Sequence, residues 1–236
     1  MVFSGHVSHP RGRVVGVVDT SASAKRLCGA CGQVAVARSS ALHGGPFPMC
    51  RNSWCSRPGR ALQAVYWAGT YDGALRRAVL SYKYHADLRW ARVFARMLLG
   101  FLDRHATWLE EYAVVCPVPA YTGAGARREW GHVELMCAEL SSLAGGQWPV
   151  EHLVSKVAET EPMSATSQSE RRRIATQSLP RSFVPVPGAL IEGRKIMVVD
   201  DVCASGETLL AVAGALGRAG ADEVAGLVLA RAAFRS

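Results

Sequence analysis

Two hydrophobic rhythms alternate along the chain, and together they predict its elements. Residues 64–71 are nearly all apolar or aromatic and read as a strand, with Tyr66, Trp67 and Tyr71 supplying the aromatic content. From Asp72 the period changes to helical steps through Leu75, Val79 and Leu80. A stronger helix is predicted over 87–104, where Trp90, Phe94, Met97, Leu98, Phe101 and Leu102 recur at three- and four-residue steps. Arg89, Arg92 and Arg96 lie off that stripe, so this helix packs on a core and shows water a basic face. Residues 112–119 read as a buried strand that its prolines terminate. Gly123, Gly125, Arg127 and Arg128 follow, then a helix over 132–143 and a short strand over 150–155. Residues 156–182 are polar, with little apolar periodicity outside 171–175. A stretch of that length inside a compact domain is usually functional or disordered. A brief strand is predicted over 183–186, a central strand over 195–202 and a final buried strand over 224–230. Between the last two, residues 207–218 read as a helix with Leu209, Leu210, Ala213 and Leu216 inward and Gly220 as its stop.

Strands and helices therefore alternate, and the economical architecture is an α/β fold, a parallel sheet with helices on both faces. In such sheets ligands lie beyond the carboxyl ends of the strands. The turns at Asp200-Asp201 and at Pro117-Val118-Pro119 both occupy such ends, so they can face one pocket although far apart in sequence.

The stretch 196–208 carries the most chemistry. Four apolar residues lead into Asp200 and Asp201, then Val202 and Cys203, then the small-residue turn Ala204-Ser205-Gly206-Glu207-Thr208 that opens the helix. Paired carboxylates accept hydrogen bonds from vicinal hydroxyls. A turn of backbone N–H groups and hydroxyls at a helix N-terminus receives a phosphate. The combination suits a sugar phosphate. The plainer alternative is a buried strand that ends in two solvated acids before an ordinary helix start.

The chain has 236 residues, 49% of them hydrophobic, enough for one good core and a small appendage. No apolar run is long enough to span a bilayer. The run 14–18 is too short for the apolar part of an export signal, so residues 1–24 read as a flexible polar extension and no membrane insertion is expected. A cytoplasmic location is the default. Net charge is +8, with cationic groups clustered at Arg127-Arg128 and at Arg171-Arg172-Arg173. Such an excess fits phosphate ligands, nucleic acid or a merely soluble surface.

Cys28-x-x-Cys31 and Cys50-x4-Cys55 place four of the seven cysteines within 28 residues, among glycines and prolines. Two such knuckles can point four thiolates at one tetrahedral zinc, which would supply the folding energy that so short a segment lacks. Disulfides would need an oxidising compartment, and a redox dithiol would need a βαβ context that is missing here. The expected division is an extension over 1–24, a structural zinc module over 25–62 and the α/β domain over 63–236. Cys116, Cys137 and Cys203 stand in apolar settings and are expected to be core or site-lining residues.

The 196–208 string resembles the 5-phosphoribosyl-1-pyrophosphate (PRPP) motif of type I phosphoribosyltransferases. With the cysteine module, Lys83-Tyr84, Pro117-Val118-Pro119 and Leu229-Ala230-Arg231, the chain resembles the ComF family, also named after GntX, over about residues 27–231. The resemblance implies a type I phosphoribosyltransferase-like domain beside a zinc module, and Mg²⁺-dependent transfer of phosphoribosyl from PRPP to an acceptor that it does not identify. It implies that Asp200 and Asp201 hold the ribose hydroxyls while the turn from Ala204 through Thr208 wraps the 5′-phosphate. PRPP would be bound by Lys83, Pro117, Val118, Pro119, Asp200, Asp201, Val202, Cys203, Ala204, Ser205, Gly206, Glu207 and Thr208. Asp200, Asp201 and Arg128 would serve the reaction, with Arg128 facing the departing pyrophosphate. Ala204 stands where the family often has a hydroxyl. Arg128-Glu129-Trp130-Gly131 stands for the family's Arg-Gly-Phe-Asn/Asp, placing a carboxylate near a polyanion. Two alternatives stand beside this reading, the first implied by the family's association with natural transformation. One is a non-catalytic adaptor in DNA uptake, binding single-stranded DNA or a competence ATPase. The other is a nucleobase salvage phosphoribosyltransferase.

Overall fold

The computed structural model describes residues 61–126, 130–159 and 173–232. The four zinc-module cysteines, Arg127, Arg128, Glu129 and the arginines at 171 and 172 lie outside them.

Long apolar runs become fully buried strands, because every residue of an interior parallel strand meets a helix layer on one face or the other. Four strands form one parallel sheet: β1 (Leu62–Thr70), β2 (Val114–Pro117), β5 (Lys195–Cys203) and β6 (Glu223–Arg231), in the order β1-β6-β5-β2. The helices are α1 (Gly73–Tyr84), α2 (Arg89–Arg104), α3 (Ala106–Leu109), α4 (His132–Ala144), the single turn α5 (Leu179–Arg181) and α6 (Glu207–Arg218). On α2, Phe94, Leu98, Phe101 and Leu102 are buried while Arg89, Arg92 and Arg96 are exposed, as the stripe predicts.

Strand alternation divides the core in two. Ile196 and Val198 of β5 face α6, with Val224 and Val228 of β6. Met197 and Val199 face α1, α2 and α4, with Ala225, Leu227 and Leu229. The layer of α6 seats closely on the sheet because Gly226 has no side chain. A Cβ there would lie 2.9 Å from Leu209 Cδ1, closer than packed carbons approach. The same contact fixes how far the first turn of α6 stands from the end of β5.

Two details depart from the sequence expectation. The strand over 150–155 is shorter: Val150 makes only an isolated bridge to Val115, and β3 (Val154–Lys156) leaves the main sheet to pair antiparallel with β4 (Phe183–Pro185). Glu151 is drawn the other way, accepting bonds of 2.9 and 2.8 Å from the Arg194 guanidinium. Within the polar stretch, Ile174–Ser178 forms a π-helical turn that runs into α5. Ile174 and Leu179 are buried in the α6-side core, so packing rather than local period makes this segment helical. Cys116, Cys137 and Cys203 are free and buried. No helix among the described residues is long and apolar enough to cross a membrane.

Candidate functional site

β2 and β5 are neighbours, yet the chain leaves them in opposite directions. α4 follows β2 on one face, and α6 follows β5 on the other. Neither helix then covers the crevice between their carboxyl ends, and this is where an open α/β sheet takes a ligand. A cavity of about 860 Å³ opens there. The loop after β2 forms one wall, through Val118, Pro119, Ala120 and Tyr121. Asp200, Asp201, Val202 and Thr208 form the opposite wall.

The two neighbouring acids meet different partners. Asp201 shares the face of Met197 and Val199 and turns toward α1 and α4. It is 3% exposed. Lys83, on the last turn of α1, brings Nζ to 2.6 Å from Oδ2. His132, the first residue of α4, brings Nε2 to 2.5 Å from the same oxygen. Oδ1 accepts the Val202 N–H at 2.5 Å. Burial pushes the Asp201 carboxyl up, but Lys83 and His132 outweigh it and hold the group well below the usual carboxylate range. Asp200 is partly buried, with Oδ1 accepting the Asp201 N–H at 2.8 Å. Burial and then the charge of Asp201 push it up to about 8, against the pull of Lys83. One acid is thus clamped and ionised, and its neighbour is poised to gain or lose a proton near neutrality.

The surrounding loops are held by buried polar contacts. Val118 continues the ladder by donating to Val199 O at 2.8 Å, and the Ala120 N–H donates to Glu134 Oε1 at 2.7 Å. Gly131 leaves room for that carboxylate, because a Cβ there would collide with Glu134. After β5 the chain turns through Gly206, whose φ of 88° favours glycine, into α6. Gly206, at the N-cap position of α6, has no side chain to close the helix start, whose backbone dipole faces the turn. Beneath this turn Arg231 is 5% exposed. Its Nη1 donates to Cys203 O at 2.9 Å and Ala204 O at 2.8 Å, and reaches Cys203 Sγ at 2.5 Å. Burial raises the Cys203 thiol to about 11 despite Arg231, so it stays protonated at neutral pH.

Of the residues singled out from sequence, Lys83, Val118, Pro119, Asp200, Asp201, Val202 and Thr208 line the cavity. Pro117 is buried at the end of β2, and Cys203 lies beneath the turn. Ala204, Ser205, Gly206 and Glu207 form the turn leading to Thr208 without lining the cavity wall. Sequence reasoning passed over His132, Lys156, Glu159, Tyr121 and Phe183, which also line it. His132 had one local signal: it directly follows the basic loop and opens a helix. Lys156 and Phe183 meet only through the β3–β4 pairing, which sets the ammonium 5.9 Å from the ring centre. Among the described residues no three His, Cys, Asp or Glu side chains gather to hold a metal ion.

Residues 143–233 match the family model described as a phosphoribosyl transferase domain. The matched segment begins at the end of α4 and runs through β3, β4, β5 and α6 to β6, so it contains Asp200, Asp201 and the turn into α6. Over it the chain is phosphoribosyltransferase-like. The structure joins β1, α1, β2 and most of α4 to the same sheet and cavity, upstream of the match. No curated protein matches the chain.

Proposed function

We propose that the cavity binds PRPP with Mg²⁺ and that the protein transfers the phosphoribosyl group to an acceptor nucleophile. The observation that carries this is the placing of Asp200 and Asp201 on one wall of a cavity at the β2/β5 crevice, beside the N-terminus of α6. In this reading Asp200 accepts hydrogen bonds from the ribose hydroxyls. The 5′-phosphate sits against the turn into α6, where Thr208 offers a hydroxyl and the helix dipole favours an anion. Mg²⁺ would enter with PRPP as part of the substrate and would supply positive charge to the leaving group. The bond from C1 to the pyrophosphate oxygen breaks with its electron pair on pyrophosphate, while the acceptor's lone pair forms the new bond at C1. Lys83 brings a cation to the cavity, and Arg128, two positions before Trp130 in the sequence, would add a second.

Isothermal titration of the full chain with Mg²⁺·PRPP tests the reading, and saturable binding at one site per chain is the expected result. Absence of any heat or shift with PRPP would remove it. Binding without pyrophosphate release across a panel of nucleobases would turn the assignment toward the adaptor. Cys28, Cys31, Cys50 and Cys55 are proposed to hold one structural zinc. Elemental analysis is then expected to give one zinc per chain, lost in a Cys28→Ser/Cys31→Ser variant. A metal-free folded protein would refute this.

A further inference from the structure

Resting on the PRPP reading, we infer that His132 is a positioning residue for the pentose, acting through the carboxylate of Asp201. An ionised carboxylate offers about four acceptor positions. Three donors already meet Asp201: Lys83 Nζ and His132 Nε2 on Oδ2, and the Val202 N–H on Oδ1. About one position is left for a ligand hydroxyl, and the donors around it decide where it points. The close approach of Nε2 to a carboxylate held ionised assigns the proton to that nitrogen, so His132 donates.

His132 is itself held firmly. The Tyr82 hydroxyl, buried between α1 and α4, donates to the His132 carbonyl at 2.6 Å. The Tyr82 ring stands edge-on to the imidazole with centroids 6.1 Å apart. α1 therefore supplies both Lys83, on the acid, and Tyr82, on the residue that orients the acid. A histidine that merely started α4 would have no reason to face the cavity. His132 lines it, and its side chain is 13% exposed. The pentose consequently meets two unlike acids. Asp201 is a fixed acceptor with one direction open. Asp200 has its Oδ1 tied to the Asp201 N–H, and no donor among the described residues meets its Oδ2.

The test compares wild type, His132→Ala and His132→Gln by titration with Mg²⁺·PRPP and, separately, with Mg²⁺·pyrophosphate, which lacks the pentose. Hydrogen bonds to charged groups contribute about 1.5–3 kcal/mol, or roughly ten- to a hundredfold in affinity. His132→Ala is expected to lose about that much for PRPP and little for pyrophosphate. His132→Gln, which carries an N–H donor on a side chain of similar reach, is expected to recover most of the loss. A purely structural role would weaken both ligands together and would not be rescued by glutamine. Equal PRPP affinity in folded His132→Ala and wild type overturns the inference and leaves the proposed function standing. Should the alanine variant fail to fold, His132→Leu fills the space without a donor and takes its place. A wild-type protein that binds pyrophosphate but not PRPP would sink the proposed function and this inference with it.

Discussion

Asp201→Asn is expected to cost about 3 kcal/mol of folding stability, the lower end of what breaking a buried charge pair costs. The carboxylate is almost fully enclosed, and its neutralisation takes away the charge that Lys83 Nζ meets at 2.6 Å. His132 Nε2 and the Val202 N–H lose the same charged acceptor. The cost stays at the lower end because the Lys83 side chain is 18% exposed and keeps some contact with water. Urea unfolding at pH 7 measures it. The pH dependence has a definite sign. The folded carboxyl is held below its unfolded value of 3.8, so its stabilisation is present above that value and is lost only as pH falls further, through the folded one. With the neighbouring titration removed by Asp200→Asn in both proteins, the gap between Asp201 and Asp201→Asn is therefore expected to be constant from about pH 6 upward and to narrow only in strong acid. A variant as stable as wild type at pH 7 would show that the Lys83–Asp201–His132 cluster carries no net stabilisation.

Asp200→Asn is expected to do the reverse. Here burial and the neighbouring Asp201 lift the folded carboxyl to about 8, above the unfolded 3.8. Between those values the folded chain keeps a proton that the unfolded chain has released, so stability falls as pH rises. Asparagine removes that penalty. The variant is expected to match wild type only at or below about pH 4 and to be the more stable protein at pH 8, with the difference growing across the interval. Thermal or urea unfolding at several pH values reads this. Under the PRPP reading the same substitution weakens Mg²⁺·PRPP binding by at least tenfold, because Asp200 is the acid with an oxygen open to the pentose. A variant stabilised at pH 8 with its ligand lost is the signature of a functional acid maintained against its own solvation. Wild-type affinity in Asp200→Asn would instead move ribose recognition elsewhere in the cavity.

The two acids illustrate how far the chain could be read before its fold. Their place at a strand end was legible because Ile196 to Val199 form an apolar run and Gly206 marks the turn into a helix. α6 begins at Glu207 and ends at Arg218, the limits its period and Gly220 predict. Nothing in the sequence distinguished one acid from the other. Which side held the cations was not legible, since Lys83 and His132 sit on two helices and His132 lies 69 positions from Asp201. The segment over 174–181 had no period to reveal it, because two buried side chains, Ile174 and Leu179, are too few to mark a helix among polar neighbours. The pairing of β3 with β4 was hidden for a similar reason. Each strand has three residues, and neither alternates cleanly.

Composition and period alone determined the class of this domain: alternating buried strands and amphipathic helices leave a parallel sheet as the economical way to bury both kinds of apolar surface. They also determined that two carboxylates stand where such sheets take ligands. The tertiary structure decided that the carboxylates are unlike. Solvation and charge act over a few ångströms in space, and only the folded chain brings Lys83 and His132 within that range of one acid while leaving the other an open oxygen.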